Sequence, residues 1–186
     1  MTGSSTGSST GSSTGSSTAV VLEVPTAADM QALGARLAAL LRPGDLMVLT
    51  GDLGAGKTTL TQGLGAAMGV RGRVASPTFV ISRVHPAEGD GPALVHVDTY
   101  RMADALEVAD LDLEYSLADS VTVVEWGAGL VEDLSGDRLE LVLTRQADPP
   151  PGADPDDPSA AVRTVTVSAV GERWAGTDLA AALASG

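Results

Sequence analysis

The stretch GDLGAGKTTL (51–60) decides the fold. It follows DLMVLT (45–50), an apolar run that predicts a buried strand, and leads into TTLTQGLGAAM (58–68), where Leu60, Leu64, Ala67 and Met68 recur at helical spacing. Strand, glycine loop and helix therefore stand in order. Gly51, Gly56, Lys57 and Thr58 satisfy the spacing G-x-x-x-x-G-K-S/T. Glycines let a backbone take positive φ and approach an anion, so that successive N–H groups point at phosphate oxygens. The helix that starts there adds the partial positive charge and free N–H groups of its first turn. In such a loop the Lys57 ammonium reaches the β and γ phosphates, and the Thr58 hydroxyl holds a magnesium ion that keeps several waters. The competing account is a chance match in a chain with 22 glycines. It is weakened by Lys57 being the only lysine in the chain, every other basic residue being arginine.

Composition narrows the class. The first eighteen residues repeat GSST four times, with no charge and no bulky apolar side chain. Such a segment cannot bury enough surface to offset its ordering entropy. It lacks the basic start and apolar middle of a secretory signal, so 1–18 reads as a flexible tail or an added leader. Residues 19–186 fit a single domain with a sizeable core. No apolar run approaches the length of a membrane span. There are no cysteines, which excludes disulfides, thiol nucleophiles and cysteine metal sites. Two histidines, His85 and His96, cannot build a histidine-rich metal centre. A net charge of −13 argues against a broad nucleic-acid surface, because phosphate contacts need clustered Lys and Arg. Any work on RNA would then run through a partner.

Along the chain, AVVLEV (19–24) predicts a strand, and TAADMQALGARLAALL (26–41) an amphipathic helix capped by Thr26 and Asp29 and ended by RPG. After the loop helix, Ser76-Pro77-Thr78 punctuates a run whose 79–84 portion predicts a strand. ALVHV returns as a strand ending at Asp98, with a hairpin between the two. MADALEVADLDLEYSL (102–117) reads as mostly helical, and SVTVVEW as a buried strand ending at Glu125 and Trp126. DRLELVLT and VRTVTVSAV alternate like hairpin strands on either side of a proline- and aspartate-rich segment, 147–160, that reads as a mobile loop. GTDLAAALASG closes the chain as a short helix. Helices alternating with apolar strands around a phosphate loop predict an α/β, P-loop NTPase-like fold with a largely parallel central sheet.

In open α/β sheets ligands sit beyond the carboxyl ends of the strands, where both Asp98 and Glu125 fall. One acid can hold magnesium, directly or through water, while the other orients or deprotonates a water. The plain alternative for each is a helix cap or a solvated strand end. Ser76-Pro77-Thr78 is either a switch loop whose Thr78 senses the γ phosphate and metal or an ordinary turn. Arg101 either neutralises charge on a transferred phosphoryl group or makes a surface ion pair. His96 shares a strand face with Asp98 and reads as packing or support rather than a ligand. Trp126 packs in the core by default, or lies near the nucleotide if the strand has ended.

ATP is favoured over GTP, because the common guanine motif N-K-x-D needs a lysine outside the phosphate loop. Taken together, GDLGAGKTT, SPTF, HVDTYR and VEW occur in the order seen in the TsaE family, which this chain resembles across roughly 26–145. The resemblance implies a cytoplasmic ATPase of tRNA threonylcarbamoyladenosine synthesis that binds ATP and magnesium, acts with TsaB and TsaD, and meets tRNA only through that complex. It implies phosphate or nucleotide contacts along the loop, Gly51, Asp52, Leu53, Gly54, Ala55, Gly56, Lys57, Thr58 and Thr59, and matches Thr78 to a switch-like segment; Trp126 joins the expected nucleotide contacts on the reading that its strand has ended. The resemblance places Thr58 and Glu125 near magnesium and matches Asp98 and Arg101 to a functional segment; the strand-end reading adds Asp98 to the magnesium set, and Lys57, Asp98, Glu125 and Arg101 form the expected catalytic set. The GSST leader and the 147–160 insertion fall outside the family pattern, and VADLDLEY matches it loosely. A nucleotide-dependent assembly module with incidental hydrolysis, or a small-molecule kinase, is the alternative.

Overall fold

The computed structural model describes residues 19–102, 104–146 and 161–184. The expected tail at 1–18 and the expected loop at 147–160 lie outside the described residues. The strands are β1 (Val20–Val24), β2 (Leu46–Thr50), β3 (Ser82–His85), β4 (Ala93–Asp98), β5 (Ser120–Glu125), β6 (Arg138–Arg145) and β7 (Arg163–Val170). The helices are α1 (Ala27–Ala38), α2 (Lys57–Ala67), α3 (Ala105–Ala109), α4 (Leu113–Leu117) and α5 (Leu179–Leu183), with short 3-10 turns at Glu132–Leu134 and Glu172–Trp174.

All seven strands join one sheet in the order β1-β7-β6-β2-β5-β4-β3. Its centre, β6-β2-β5-β4, is parallel, and antiparallel hairpins close both sides. The parallel centre follows from composition: LMVLT and SVTVVE are buried along their length, as strands covered on both faces must be. Side chains alternate between the faces. Met47, Leu49, Val121 and Val123 join a core beneath α1, α2 and α5, while Leu46, Val48, Val95 and Val124 join a second core beneath α3 and α4.

Helix α1 begins as its sequence predicts. The Asp29 N–H donates to Thr26 Oγ1 at 3.1 Å and the Thr26 N–H returns to Asp29 Oδ2 at 3.1 Å, a capping box that satisfies two end donors reciprocally. Its buried stripe is Met30, Leu33, Gly34 and Leu37. Gly34 lies against α2 so closely that a Cβ would overlap the Leu60 carbonyl, and a Cβ at Gly63 of α2 would overlap the Gln31 carbonyl. The two glycines let the helix backbones touch, which fixes α2 and therefore the loop at its start. The far end of the sheet is tied by Arg173, whose guanidinium grips buried Asp45 through Nε at 3.1 Å and Nη2 at 3.0 Å.

Two expectations need correction. The strand predicted at 79–84 starts only at Ser82. The Pro77 carbonyl accepts the Val80 and Ile81 N–H groups at 2.8 and 2.6 Å, closing a turn that leaves Phe79 90% exposed and puts Ile81 at φ 67°. The helix predicted through 102–117 is two five-residue pieces, α3 and α4, broken where Asp112 takes φ 52°. Aspartate tolerates that left-handed conformation better than most residues. Among the described residues no helix is long and apolar enough to cross a membrane.

Candidate functional site

Strand β2 delivers its chain to Gly51, and five further loop residues reach Gly56, where φ is 109° and α2 starts. A side chain is strained in that left-handed region, so glycine is required by the turn. No side chain caps α2, which leaves its first-turn N–H groups turned toward the loop.

Lys57 is the first residue of α2 and is buried. Its Nζ donates to the carbonyls of Gly51 at 2.6 Å and Asp52 at 3.1 Å, and stands 3.8 Å from the centroid of the Trp126 ring. Among the described residues no carboxylate forms a salt bridge with it. Burial pushes its pKa below the ordinary 10.5, against the opposing pull of Glu125, Asp98 and Asp52. Held by carbonyls and a ring rather than by a carboxylate, Nζ is left to face an incoming anion.

Asp98 and Glu125 are the last residues of β4 and β5 and are register partners across that parallel pair. Both are buried, and both are fixed by hydroxyl donors from other segments. Thr58 Oγ1, next to Lys57, donates to Glu125 Oε1 at 2.8 Å. The same oxygen lies 2.8 Å from His96 Nε2. Thr78 Oγ1 donates to Asp98 Oδ2 at 2.5 Å, Ser76 Oγ reaches that oxygen at 3.3 Å, and the Tyr100 N–H holds Oδ1 at 3.0 Å. The 76–81 turn is secured from behind, where Ile81 O accepts the Asp98 N–H at 2.8 Å.

The strand does end before Trp126, which takes φ 64° with its N–H on the Leu49 carbonyl at 2.8 Å. That turn swings the indole out of the sheet onto the Lys57 ammonium and against Tyr100, ring centroids 5.1 Å apart. The core position taken as the default for Trp126 is therefore not the one it occupies. A non-glycine residue in the left-handed region persists only where its surroundings over-determine it.

Between these groups lies a cleft of about 320 Å³. Its loop side is Leu53, Gly54, Gly56, Lys57, Thr58 and Thr59; its other side is Ser76, Thr78, Asp98, Tyr100, Glu125 and Trp126. Most of the expected residues thus meet in one place. Ala55 is instead buried in the core, and Gly51 and Asp52 approach through their carbonyls to Lys57. Arg101 is exposed and does not line the cleft. Tyr100 lines it without having been singled out in the sequence, and Ser76, named there only as part of the Ser76-Pro77-Thr78 triplet, lines it too. An aromatic two residues past a strand-end acid, inside HVDTYR, was the available signal for Tyr100.

The chain is similar to known proteins in both sequence and fold. A family model, "Threonylcarbamoyl adenosine biosynthesis protein TsaE", matches residues 24–150. The chain is 59% identical over 151 residues to the tRNA threonylcarbamoyladenosine biosynthesis protein TsaE of Streptomyces coelicolor, covering 81% of this chain and 97% of that one. It is 39% identical over 147 residues to the Bacillus subtilis protein of the same name, covering 78% and 83%. The crystal structure of Bacillus subtilis YdiB superposes with a TM-score of 0.65 at 31% identity, covering 87% of this chain and 93% of that one, which supports the P-loop-like fold. The chain belongs to the TsaE family of tRNA threonylcarbamoyladenosine biosynthesis.

Proposed function

We propose that this chain hydrolyses ATP with magnesium, in the cytoplasm, in support of tRNA threonylcarbamoyladenosine modification and together with TsaB and TsaD. The observation that carries the reading is the buried Lys57 ammonium, without a carboxylate salt bridge among the described residues, facing a cleft whose opposite wall carries the carboxylates ending β4 and β5.

The donor set suits magnesium, a hard ion that takes oxygen ligands and usually shares them with substrate phosphates and waters. Thr58, Glu125 and Asp98 would hold it, and among the described residues no group of three or more His, Cys, Asp or Glu side chains gathers a metal by itself. When bound, the ion would neutralise phosphate charge and help align the leaving oxygen. Lys57 and the first N–H groups of α2 bind and stabilise the phosphates. Glu125 or Asp98 orients a water for in-line attack, and the Thr78 hydroxyl links the 76–81 turn to the occupancy of the cleft. His96 holds the Glu125 carboxylate from behind.

The test is ATP turnover by the purified chain with and without TsaB and TsaD. Stimulation that disappears in Lys57→Ala and falls sharply in Glu125→Ala supports the reading, whereas full stimulated turnover in Glu125→Ala removes that residue from the mechanism. A second reading, nucleotide-dependent assembly with incidental hydrolysis, is favoured by Leu53 and Phe79, 83% and 90% exposed on the loops that border the cleft. Slow turnover unchanged by the partners, with ATP-dependent complex formation, would select it. Phosphate appearing on an added metabolite would select a kinase.

A further inference from the structure

On the sheet face opposite α2, a groove of about 340 Å³ opens between α3–α4 and the turn that follows β5. Its apolar lining includes Val108, Leu113, Leu130 and Leu134, and Tyr115 lines it while remaining 86% exposed. Asp112, Glu114 and Asp133 line it as well. The sequence that supplies both walls, 102 to 137, contains no Lys, Arg or His, and the basic residue that follows it, Arg138, acts on Glu132 and pairs with Glu140. Among the described residues no salt bridge reaches the three lining carboxylates.

We infer that this groove docks a basic amphipathic helix of a partner protein. Apolar lining calls for apolar side chains, and the acidic border calls for Lys or Arg beside them. A nucleic acid is disfavoured, because its phosphates would meet carboxylates rather than guanidinium or ammonium groups. An added strand is disfavoured too: β5, the strand beneath the groove, is paired on both sides by β2 and β4 and has no free edge. A helix satisfies its own backbone and presents side chains at i, i+3, i+4 and i+7, the pattern such a groove accepts.

The walls of the groove lead directly from the candidate site. The α3–α4 segment follows Asp98 at the end of β4, and the turn carrying Leu130 and Leu134 follows Glu125 at the end of β5. An occupant that shifts one wall against the other acts on the junction where those two carboxylates are register partners. This coupling to the cleft rests on the ATPase reading; the docking itself does not.

The test uses the full chain and a fluorescent Leu/Lys peptide of about 14 residues, roughly four helical turns, in about 0.15 M salt, where long-range attraction is screened. The control peptide has the same composition in a non-amphipathic order. The amphipathic peptide is expected to bind at least about tenfold more tightly than the control, with about a tenfold loss in Tyr115→Ala and in Glu114→Gln/Asp133→Asn. Glu88→Gln/Asp90→Asn, in the β3–β4 connection, is expected to leave binding unchanged. Equal affinity for both peptides, or equal losses in the two acid-neutralised variants, would reduce the attraction to net charge and overturn the inference. Binding of a tRNA transcript that is lost in Tyr115→Ala would overturn it in favour of nucleic acid. Because the readout is peptide anisotropy, failure of the groove and failure of ATP turnover are separately visible.

Discussion

Replacing Trp126 separates what its ring contributes from what its backbone costs. The ring lies over the Lys57 ammonium at 3.8 Å and against Tyr100 at 5.1 Å. Removing it loses about 1 kcal/mol of cation–π attraction and about 1 kcal/mol of ring pairing, in Trp126→Ala and Trp126→Gly alike. The backbone then distinguishes the two variants. At φ 64°, with the N–H tied to the Leu49 carbonyl, an L side chain bears about 1 to 2 kcal/mol of left-handed strain that glycine avoids. Glycine's extra freedom in the unfolded chain returns about 0.5 to 1 kcal/mol of that. The remainder makes Trp126→Gly about 1 kcal/mol more stable than Trp126→Ala, roughly 2 to 4 °C in melting temperature for a domain of this size. Thermal unfolding followed by circular dichroism measures the order. An alanine variant as stable as the glycine variant, or more so, would refute the claim that this position is held under backbone strain.

Other substitutions report on other parts of the fold and site. Because burial lowers the Lys57 pKa, ATP affinity is expected to fall with rising pH at values below the ordinary 10.5, and Lys57→Arg to remove that loss; calorimetric titration across alkaline pH checks both. Stability moves the opposite way: between the lowered folded pKa and the unfolded one, the unfolded chain binds more protons, so this residue's contribution to stability rises with pH. Arg173→Ala leaves Asp45 buried without its guanidinium and should cost about 3 kcal/mol in urea unfolding. Gly34→Ala would drive a Cβ into the Leu60 carbonyl, costing about 1 to 3 kcal/mol and weakening ATP binding by displacing α2 and its loop.

Local chemistry made much of this protein legible. The apolar run before Gly51, the helical spacing after Lys57 and the Thr26–Asp29 pair each act within a few residues, and each forms as read. Asp98 and Glu125 end their strands where the sequence puts them. Their adjacency depends on β4–β5 register, a long-range pairing that neither segment encodes alone. Apolar composition misled at 79–80, because the Pro77 carbonyl captured the N–H groups of Val80 and Ile81 before a strand could begin. Periodicity likewise overran Asp112, whose left-handed backbone ends one helical piece and starts another. Trp126 was ambiguous because its direction turns on one φ angle.

The most direct measurement is calorimetric titration of ATP and magnesium into the wild-type chain, Lys57→Ala and Thr58→Ala. Binding to the wild type, a loss of at least about a hundredfold in Lys57→Ala, equivalent to about 2.7 kcal/mol, and loss of the magnesium enhancement in Thr58→Ala are the predicted results. Undiminished binding of ATP by Lys57→Ala would contradict the assignment of this cleft.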